Sequence, residues 1–403
     1  MTKTPLEEMG EPLYFIAGNA EQAGFPVPPN THGQSLRTWV RSLGGMQKEA
    51  LVVSAATGTA WRFACDEGEH LGGHNKAPNP LTYLSAGMIS SYMNEITALA
   101  HHRQIELRDL ELILENFYYR EGDFRQGTMT SGALPPDLNV ACEADCDSQT
   151  LTTLLYEAVA ASPLNGLARG THPSLFTLVH NGQVLTPEQV TPLGAEPFAN
   201  PGDNFPNLMP AADSPAVPSL IEMLGEEDAG HEALVKSRID SPDLGPDQQL
   251  LHMHSRCIQR PDGVKEIYKE QYNPAAPTWK YLSDEAEGFG GHGRAPDAAS
   301  LISAGIGLCF MTQMGRFAKM AKLPLKGYSI IQDTHFSLGG ASGGTGQAGI
   351  AQPVETHVFL ETEADDAVAQ QILGVGERTC FLHAFCRDDL KPKVRASKSS
   401  RAA

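Results

Sequence analysis

The chain has 403 residues, 41% of them hydrophobic and 19% charged, which is enough apolar sequence for two domains with their own cores. Its formal net charge of −18 disfavours nucleic acid and anionic membrane surfaces as partners. The first residues contain no apolar run typical of a signal peptide, and the longest apolar stretches are interrupted by polar residues or glycine, so we expect no membrane span. Seven cysteines, an odd number, favour a reducing compartment, and we therefore expect a cytoplasmic protein with free thiols.

Hydrophobic periodicity predicts an α+β chain with two similar halves. The predicted segments are an irregular arm (1–35), a first half (36–185), a linker rich in Pro, Gly and acidic residues (186–248), a second half (249–390) and a basic tail (391–403). In the first half we expect strands (36–63), an apolar helix (80–100), strands (105–119 and 138–146), a second helix (149–169) and a hairpin (174–185). The second half repeats this order, with strands (250–282), a helix (297–322), strands (325–336 and 355–363) and a helix (365–387). One short helix is expected inside the linker, at 219–225.

The second half repeats the first at a constant offset of 218 residues, for example from 72 to 290 and from 87 to 305. Residues 72–93 read GGHNKAPNPLTYLSAGMISSYM, and residues 290–314 read GGHGRAPDAASLISAGIGLCFMTQM. The same offset joins Trp61 to Trp279, and it joins the segment 162–169 to the segment 380–387. Chance matches do not keep one register without a gap over such a length, so the sequence predicts an internal duplication.

The two copies differ in chemistry at two of the matched positions. Cys309 replaces Ser91 of the first copy, and Cys380 replaces Ser162. Both cysteines lie in predicted helices, 71 residues apart. A cysteine in a buried helix is usually a small hydrophobic residue, but these two fall in the best-matched blocks of the chain.

A known family shares these features. The pattern Gly-Gly-x-x-x-Ala-Pro-Asn-Pro at 72–80, and the small-residue helix that carries Cys309, resemble the OsmC/Ohr family of osmotically inducible and organic hydroperoxide resistance proteins. A later helix that opens at Cys380 adds to the resemblance, which covers roughly residues 40–185 and 250–390. The family works as an intertwined homodimer. The resemblance therefore implies two OsmC-like repeats in an intramolecular pseudo-dimer, with antiparallel sheets around buried central helices.

The resemblance also implies roles for the cysteines. In the family, the first cysteine is a peroxidatic thiolate, and the second resolves its sulfenic acid as a disulfide; these positions match Cys309 and Cys380. Ser91 and Ser162 depart from the pattern, because a hydroxyl group forms neither sulfenate nor disulfide. We therefore expect one active site rather than two.

A peroxidatic thiolate requires a cation or hydrogen-bond donors nearby. The resemblance implies an arginine from an early strand, oriented by a glutamate just before the glycine turn. The glutamates that fit this position are Glu67, Glu69, Glu285 and Glu287. The candidate arginines are Arg37, Arg41 and Arg256. Because the family dimer shares residues across its interface, the first copy could supply either group to Cys309.

The histidines, the remaining cysteines and a glycine-rich run have simpler explanations than a second active site. Fourteen histidines, among them His252, His254, His335, His357 and His383, could build a zinc or iron site with a cysteine, but scattered surface and core histidines are the more economical interpretation. His74 and His292 recur after both Gly-Gly turns and could stabilise these turns. Cys386 is interpreted as structural. Cys142 and Cys146 could hold a metal but have no matching second pair, and they are interpreted as strand and loop residues. The glycine-rich run 339–349 is interpreted as a loop that borders the site.

The sequence favours a thiol-dependent peroxidase with no cofactor. Its substrate would be an organic hydroperoxide or another small apolar molecule, since Phe310, Met311 and Met314 lie near Cys309. The resemblance implies a lipoyl-bearing protein or a small dithiol as the reductant. The alternatives keep the fold and change the function: an enzyme that uses Cys309 as a non-redox nucleophile, a metal-dependent enzyme, or a module that binds an apolar ligand.

Overall fold

The computed structural model describes residues 3–10, 12–123, 127–212, 220–225, 248–273 and 275–397, and it confirms the predicted α+β class. Its helices are α1 (Pro5–Met9), α2 (Pro80–His102), α3 (Ser148–Ala161), α4 (Ala298–Met320), α5 (Asp366–Thr379) and α6 (Phe381–Arg387). The strands before α4 are β1 (Phe15–Ile16), β2 (Gln34–Gly44), β3 (Gln47–Ser54), β4 (Ala60–Cys65), β5 (Leu107–Glu121), β6 (Thr130–Ala144), β7 (Leu175–His180), β8 (Gln183–Leu185), β9 (Thr191–Pro192), β10 (Ile221–Gly225), β11 (Gln249–Gln259), β12 (Lys265–Asn273) and β13 (Ala275–Ser283). The later strands are β14 (Leu325–Phe336), β15 (Glu355–Thr362) and β16 (Lys393–Ser397).

The two halves of the chain exchange strands, so that each of the two sheets contains strands from both halves. The first sheet has the order β1-β4-β3-β2-β14-β15-β7-β8, with β9 beside β7, and the second has the order β10-β13-β12-β11-β5-β6-β16. In the first sheet, β2 pairs antiparallel with β14, which places Arg37 opposite Asp333. In the second, β11 pairs antiparallel with β5, which places His254 opposite Glu115. Each half therefore contributes strands to both sheets, and the sheets enclose the long helices.

The central helices α2 and α4 form the middle of the core. Small residues let them approach closely: a Cβ added at Gly87 would lie 2.6 Å from the Ala298 carbonyl oxygen, and one at Gly305 would lie 2.9 Å from the Leu84 nitrogen. Helix α4 is long and apolar enough to cross a membrane, but 94% of its most apolar window is buried inside the fold. It is thus the core helix of this fold, buried on nearly every face.

Two of the predicted helices are interrupted at the residues that matter for the site. The helix expected at 149–169 ends at Ala161, and Pro163 begins a 3-10 helix that runs to Leu167. The helix expected at 365–387 breaks at Cys380, whose extended backbone separates α5 from α6. Ser162 and Cys380 therefore occupy N-cap positions rather than helix interiors.

The linker and the tail contain more structure than the sequence predicts. The short helix expected at 219–225 is wrong, because Ile221–Gly225 forms strand β10 and pairs with β13; residue 219 lies outside the described residues. Half of the remaining linker (213–218 and 226–247) lies outside them too. In the tail, Lys393–Ser397 forms strand β16 beside β6, and 398–403 lie outside the described residues.

Candidate active site

The fold brings Cys309 and Cys380 together as a pair of free thiols. Cys309 lies in α4 and is 2% exposed, while Cys380 caps α6 and is fully buried. The two thiol groups are within hydrogen-bonding contact, and the Leu382 N–H group donates to the Cys309 sulfur. The His383 N–H group donates to Cys380 Sγ at 3.4 Å. The first turn of α6 thus presents backbone donors to both sulfur atoms.

The matched positions of the first half hold a pair of hydroxyl groups in the same relation. Ser91 Oγ lies 2.8 Å from Ser162 Oγ, and both side chains are buried. Ser162 also caps its 3-10 helix by accepting from the Asn165 N–H group. The serine pair therefore reproduces the geometry of the cysteine pair without thiol chemistry.

A cavity of about 610 Å³ reaches Cys309 from both halves of the chain. Its charged and titratable lining residues, apart from Cys309, are Glu67, His70, Arg120 and Arg316. Its neutral polar lining residues are Asn79, Gln248, Gln249, Gln271 and Gln313. Its apolar lining residues are Leu71, Pro80, Leu81, Leu250, Leu251 and Phe381. A cavity with an apolar wall, a few polar groups and one nucleophilic side chain has the composition of a small-molecule site.

One of the four candidate glutamates lies in this cavity. Glu67 lines it from the loop after β4, so the first half supplies the carboxylate to a cysteine of the second half. Glu69 and Glu287 are exposed. Glu285 is buried at the equivalent loop of the second half, where it accepts from the Ala298 N–H group and lies 3.5 Å from Lys265.

None of the three candidate arginines lines the cavity. Arg256 binds Glu111 through Nε and Nη2, both at 2.8 Å, on the face of β11 opposite to the buried Cys257. Arg37 pairs with Asp333, and Arg41 pairs with Glu49. Side chains alternate between the faces of a strand, and all three arginines point to outer faces.

Arg120 and Arg316 lie in the cavity instead, and sequence reasoning missed both. Arg316 follows Cys309 by seven residues in α4, so it lies two turns away on the same face of the helix. The series Cys309, Gln313, Arg316 has helical spacing and is a signal that could have found it. Arg120 comes from β5 and donates from Nε to Gln249 Oε1 at 2.7 Å.

The electrostatics of the cavity follow from burial and from these charges. Burial raises the pKa of Cys309 well above its ordinary value, and Cys380 and Glu67 raise it further. Burial raises the pKa of Glu67 to about 7, against the opposing effect of the Lys48 and Arg316 charges. Burial, and then the Arg120 charge, lower the pKa of Arg316 to about 10. Cys309 is therefore a protonated thiol in this conformation, next to a positively charged wall.

Comparison with known proteins gives one family. Residues 291–395 match the OsmC-like protein family. This part of the chain is an OsmC-like domain. The match includes Cys309 and Cys380, and it confirms the family resemblance for residues 291–395. A crystal structure of an OsmC-like hydroperoxide resistance protein from Jannaschia sp. CCS1 is similar over 32% of this chain and 81% of its own, with 18% identity and a TM-score of 0.20. No protein with a curated description matches the chain.

The glycine-rich run of the OsmC-like domain packs over the serine pair and not over the cysteines. Gly340 and Gly349 donate their N–H groups to the carbonyl oxygens of Ala161 and Ala160. A Cβ added at Gly349 would lie 2.2 Å from the Ser162 carbonyl oxygen, so only glycine fits there. None of the residues that line the Cys309 cavity comes from this loop. The interpretation of the run as a border of the active site is therefore replaced by a loop over the serine pair.

The imidazole of His383, three residues after Cys380, is neutral. His383 is fully buried, stacks on Phe310 at 4.8 Å between ring centroids, and burial lowers its pKa to about 3. It cannot supply a positive charge to a thiolate at neutral pH. Phe310, Met311 and Met314 of the OsmC-like domain are buried in the core, and they are not among the residues that line the cavity.

None of the histidines named as possible partners of a cysteine in a metal site lines the Cys309 cavity. His252 and His254 both contact Glu115, at 2.7 Å each, on the outer face of the second sheet. Among the described residues, the one potential metal-binding group of three or more His, Cys, Asp or Glu contains Asp333, His335 and Glu355, and it contains no cysteine.

Proposed function

We propose that this protein is a thiol-dependent peroxidase that reduces organic hydroperoxides at Cys309. The observation that carries the proposal is the contact between Cys309 and Cys380 at the end of an apolar-walled cavity that also holds two arginines. The family match supports it, because the matched residues include both cysteines.

The reaction would proceed in three steps. The Cys309 thiolate attacks the distal oxygen of the hydroperoxide, which forms an S–O bond, breaks the O–O bond and releases the alcohol after one proton is taken up. Cys380 then attacks the sulfenic sulfur, which forms the disulfide and releases water. An external dithiol, such as a lipoyl group on a protein or a small dithiol, reduces the disulfide and is itself oxidised.

The first step requires deprotonation of a buried thiol. Burial opposes it, whereas the Leu382 N–H group lowers the pKa of Cys309 and Arg316 lies two turns along the same helix face. Positive charge stabilises a thiolate and the alkoxide that leaves. We therefore expect Arg316 to promote the reaction, with Glu67 holding its guanidinium group in place.

The apolar part of the wall favours an organic substrate. Leu71, Leu81, Leu250, Leu251 and Phe381 would contact an alkyl or aryl group, and a methylene group buried there contributes about 0.8 kcal/mol. Hydrogen peroxide gains nothing from these contacts. We expect cumene hydroperoxide to react faster than hydrogen peroxide.

The test is a thiol count and intact mass before and after one equivalent of cumene hydroperoxide. The wild type should lose two of its seven thiols as a Cys309–Cys380 disulfide, while Cys380→Ser should lose one and gain a single oxygen atom at Cys309. Cys386→Ser is the matched control, since Cys386 is a buried cysteine of the same helix, and it should behave as the wild type. If the wild type reacts no faster than free cysteine, the peroxidase proposal is wrong.

A second candidate is a module that binds an apolar ligand without chemistry. The raised pKa of Cys309 favours it, since a protonated, buried thiol is unreactive. Cys309→Ser separates the two functions. A binding module should keep its affinity for an apolar fluorescent probe in this variant, and the wild type should show no hydroperoxide consumption.

A further inference from the structure

A second cluster of potential ligands lies on the outer face of the first sheet, and the proposed peroxidase reaction does not involve it. Asp333 and His335 come from β14, and Glu355 comes from the adjacent strand β15. One ligand atom from each of the three residues lies within 4.8 Å of the others. We propose that these residues, with His32, bind a divalent transition-metal ion; the four side chains are called the outer-sheet cluster below.

The imidazole of His335 is held by a neighbouring strand. Its Nδ1 atom lies 2.8 Å from the hydroxyl oxygen of Ser35, a fully buried residue of β2. This contact fixes the ring and leaves Nε2 to bind an ion. Metal-binding histidines usually have such a partner on the second ring nitrogen, which sets the tautomer and the ring orientation.

Asp333 is oriented by a bidentate ion pair. Arg37 donates from Nε to Oδ1 at 2.7 Å and from Nη2 to Oδ2 at 2.6 Å. Each carboxylate oxygen has two lone pairs, so the pair with Arg37 leaves one on each oxygen for an ion. Arg37 is itself fixed, because its guanidinium carbon lies 3.9 Å from the centre of the Phe198 ring.

Glu355 and His32 complete a set of two carboxylates and two imidazoles. The His32 ring lies 5.1 Å from the His335 ring between centroids, and the Thr31 hydroxyl group holds its Nδ1 at 2.7 Å. Glu355 lies directly opposite Asp333 in the antiparallel pair of β14 and β15, which brings the two carboxyl groups close to one another.

The equivalent positions of the first half provide an internal comparison. At the offset of 218 residues, Asp333 corresponds to Glu115 and His335 corresponds to Phe117. The two carboxylate oxygens of Glu115 contact ring nitrogens of His252 and His254, each at 2.7 Å. The ligand set is therefore specific to the first sheet. A mixed set of imidazole and carboxylate ligands suits zinc, and the ion would tie the loop of His32 to β14 and β15.

The test is zinc binding measured by calorimetry and by elemental analysis after dialysis. The thiol pair can also bind zinc, so both measurements are made on the wild type and on Cys309→Ser/Cys380→Ser. We expect one zinc ion per chain at the outer-sheet cluster in both proteins. His335→Gln, Glu355→Gln and His32→Gln should each weaken its binding at least about tenfold. Glu361→Gln is the matched control, because Glu361 is an exposed glutamate of the same strand, and it should bind as the wild type does.

Cobalt(II) provides a second readout, since its visible spectrum reports the geometry and the ligands of the bound ion. The cobalt spectrum should be the same with and without the cysteines and should be lost in His335→Gln/Glu355→Gln. If His335→Gln does not fold, Glu355→Gln gives the same test, because Glu355 is only half-buried. Zinc binding that disappears with the cysteines, or that is unchanged in the folded ligand variants, would overturn the proposal, as would no binding at all.

Discussion

Replacing Glu67 by glutamine should change how the stability of this protein depends on pH. Burial raises the pKa of Glu67 from 4.5 to about 7, so the folded state keeps this proton over a pH range in which the unfolded state has lost it. Below pH 4.5 both states are protonated and the group has no effect. As the pH rises from about 4.5 to about 7, the unfolded state ionises first, and the free energy of unfolding falls.

The size of this fall follows from the shift in pKa. One pKa unit corresponds to about 1.4 kcal/mol, so the shift of Glu67 should lower the free energy of unfolding by about 3 kcal/mol above pH 7. Glutamine does not titrate and should lose this dependence. Its replacement also removes a carboxyl group beside Lys48, which is fully buried. The prediction therefore concerns the change with pH and not the absolute stability of the variant.

The assay is urea unfolding, followed by tryptophan fluorescence, at several pH values between about 4.5 and 8. The difference in unfolding free energy between Glu67→Gln and the wild type should move by about 3 kcal/mol in favour of the variant as the pH rises. Glu69→Gln, an exposed neighbour, should follow the wild type throughout. If the difference for Glu67→Gln stays within about 1 kcal/mol from pH 5 to pH 8, the carboxyl group is not held in a buried, proton-retaining site.

Three further predictions concern the thiols and the close contacts. Oxidation to the Cys309–Cys380 disulfide closes a loop of 71 residues and should raise the free energy of unfolding by roughly 4 kcal/mol. The measurement is urea unfolding with and without a dithiol, and no gain in stability would show that the disulfide strains the fold. Gly305→Ala should lower the free energy of unfolding by about 2 kcal/mol, because the added Cβ would lie 2.9 Å from the Leu84 nitrogen. Replacing glycine by alanine in a helix usually stabilises a protein, so a higher free energy of unfolding would contradict the close packing. Gly349→Ala should lower the free energy of unfolding by about 2 kcal/mol and should speed amide hydrogen exchange near Ser162. Unchanged exchange would show that the glycine-rich loop does not cover the serine pair.

The fold class could be predicted from the sequence because the patterns that indicate helices and strands are local. The small-residue pattern of α4 and its N-cap at Asp297 are readable from adjacent residues, and so are the short apolar runs of β3 and β4. The error at 219–225 has the same origin. A segment as short as Ile221–Gly225 is compatible with a helix turn or a strand, and only its pairing with β13 decides between them.

The positions of the arginine side chains could not all be predicted from local sequence patterns. Arg256 was a candidate because it lies early in the second half, but strand alternation directs it to Glu111 on the outer face of the sheet. Which face of a strand is buried depends on the register with strands that are distant in the sequence. Arg316 was readable in principle, since it shares a helix face with Cys309. Arg120 was not, because it reaches the cavity from a strand of the other half.

The sequence by itself determined that two cysteines of the second half stand at positions where the first half has serines, since a constant offset aligns Cys309 with Ser91 and Cys380 with Ser162. Only the tertiary structure decided which charged groups share the cavity. Glu67 and Arg316 are 249 positions apart, and they meet there because the two halves exchange strands and pack their central helices together. The structure also decided that the glycine-rich loop lies over the serines, because an approach of 2.2 Å between a Cβ position and the Ser162 carbonyl oxygen is a property of the packed chain and of no local pattern.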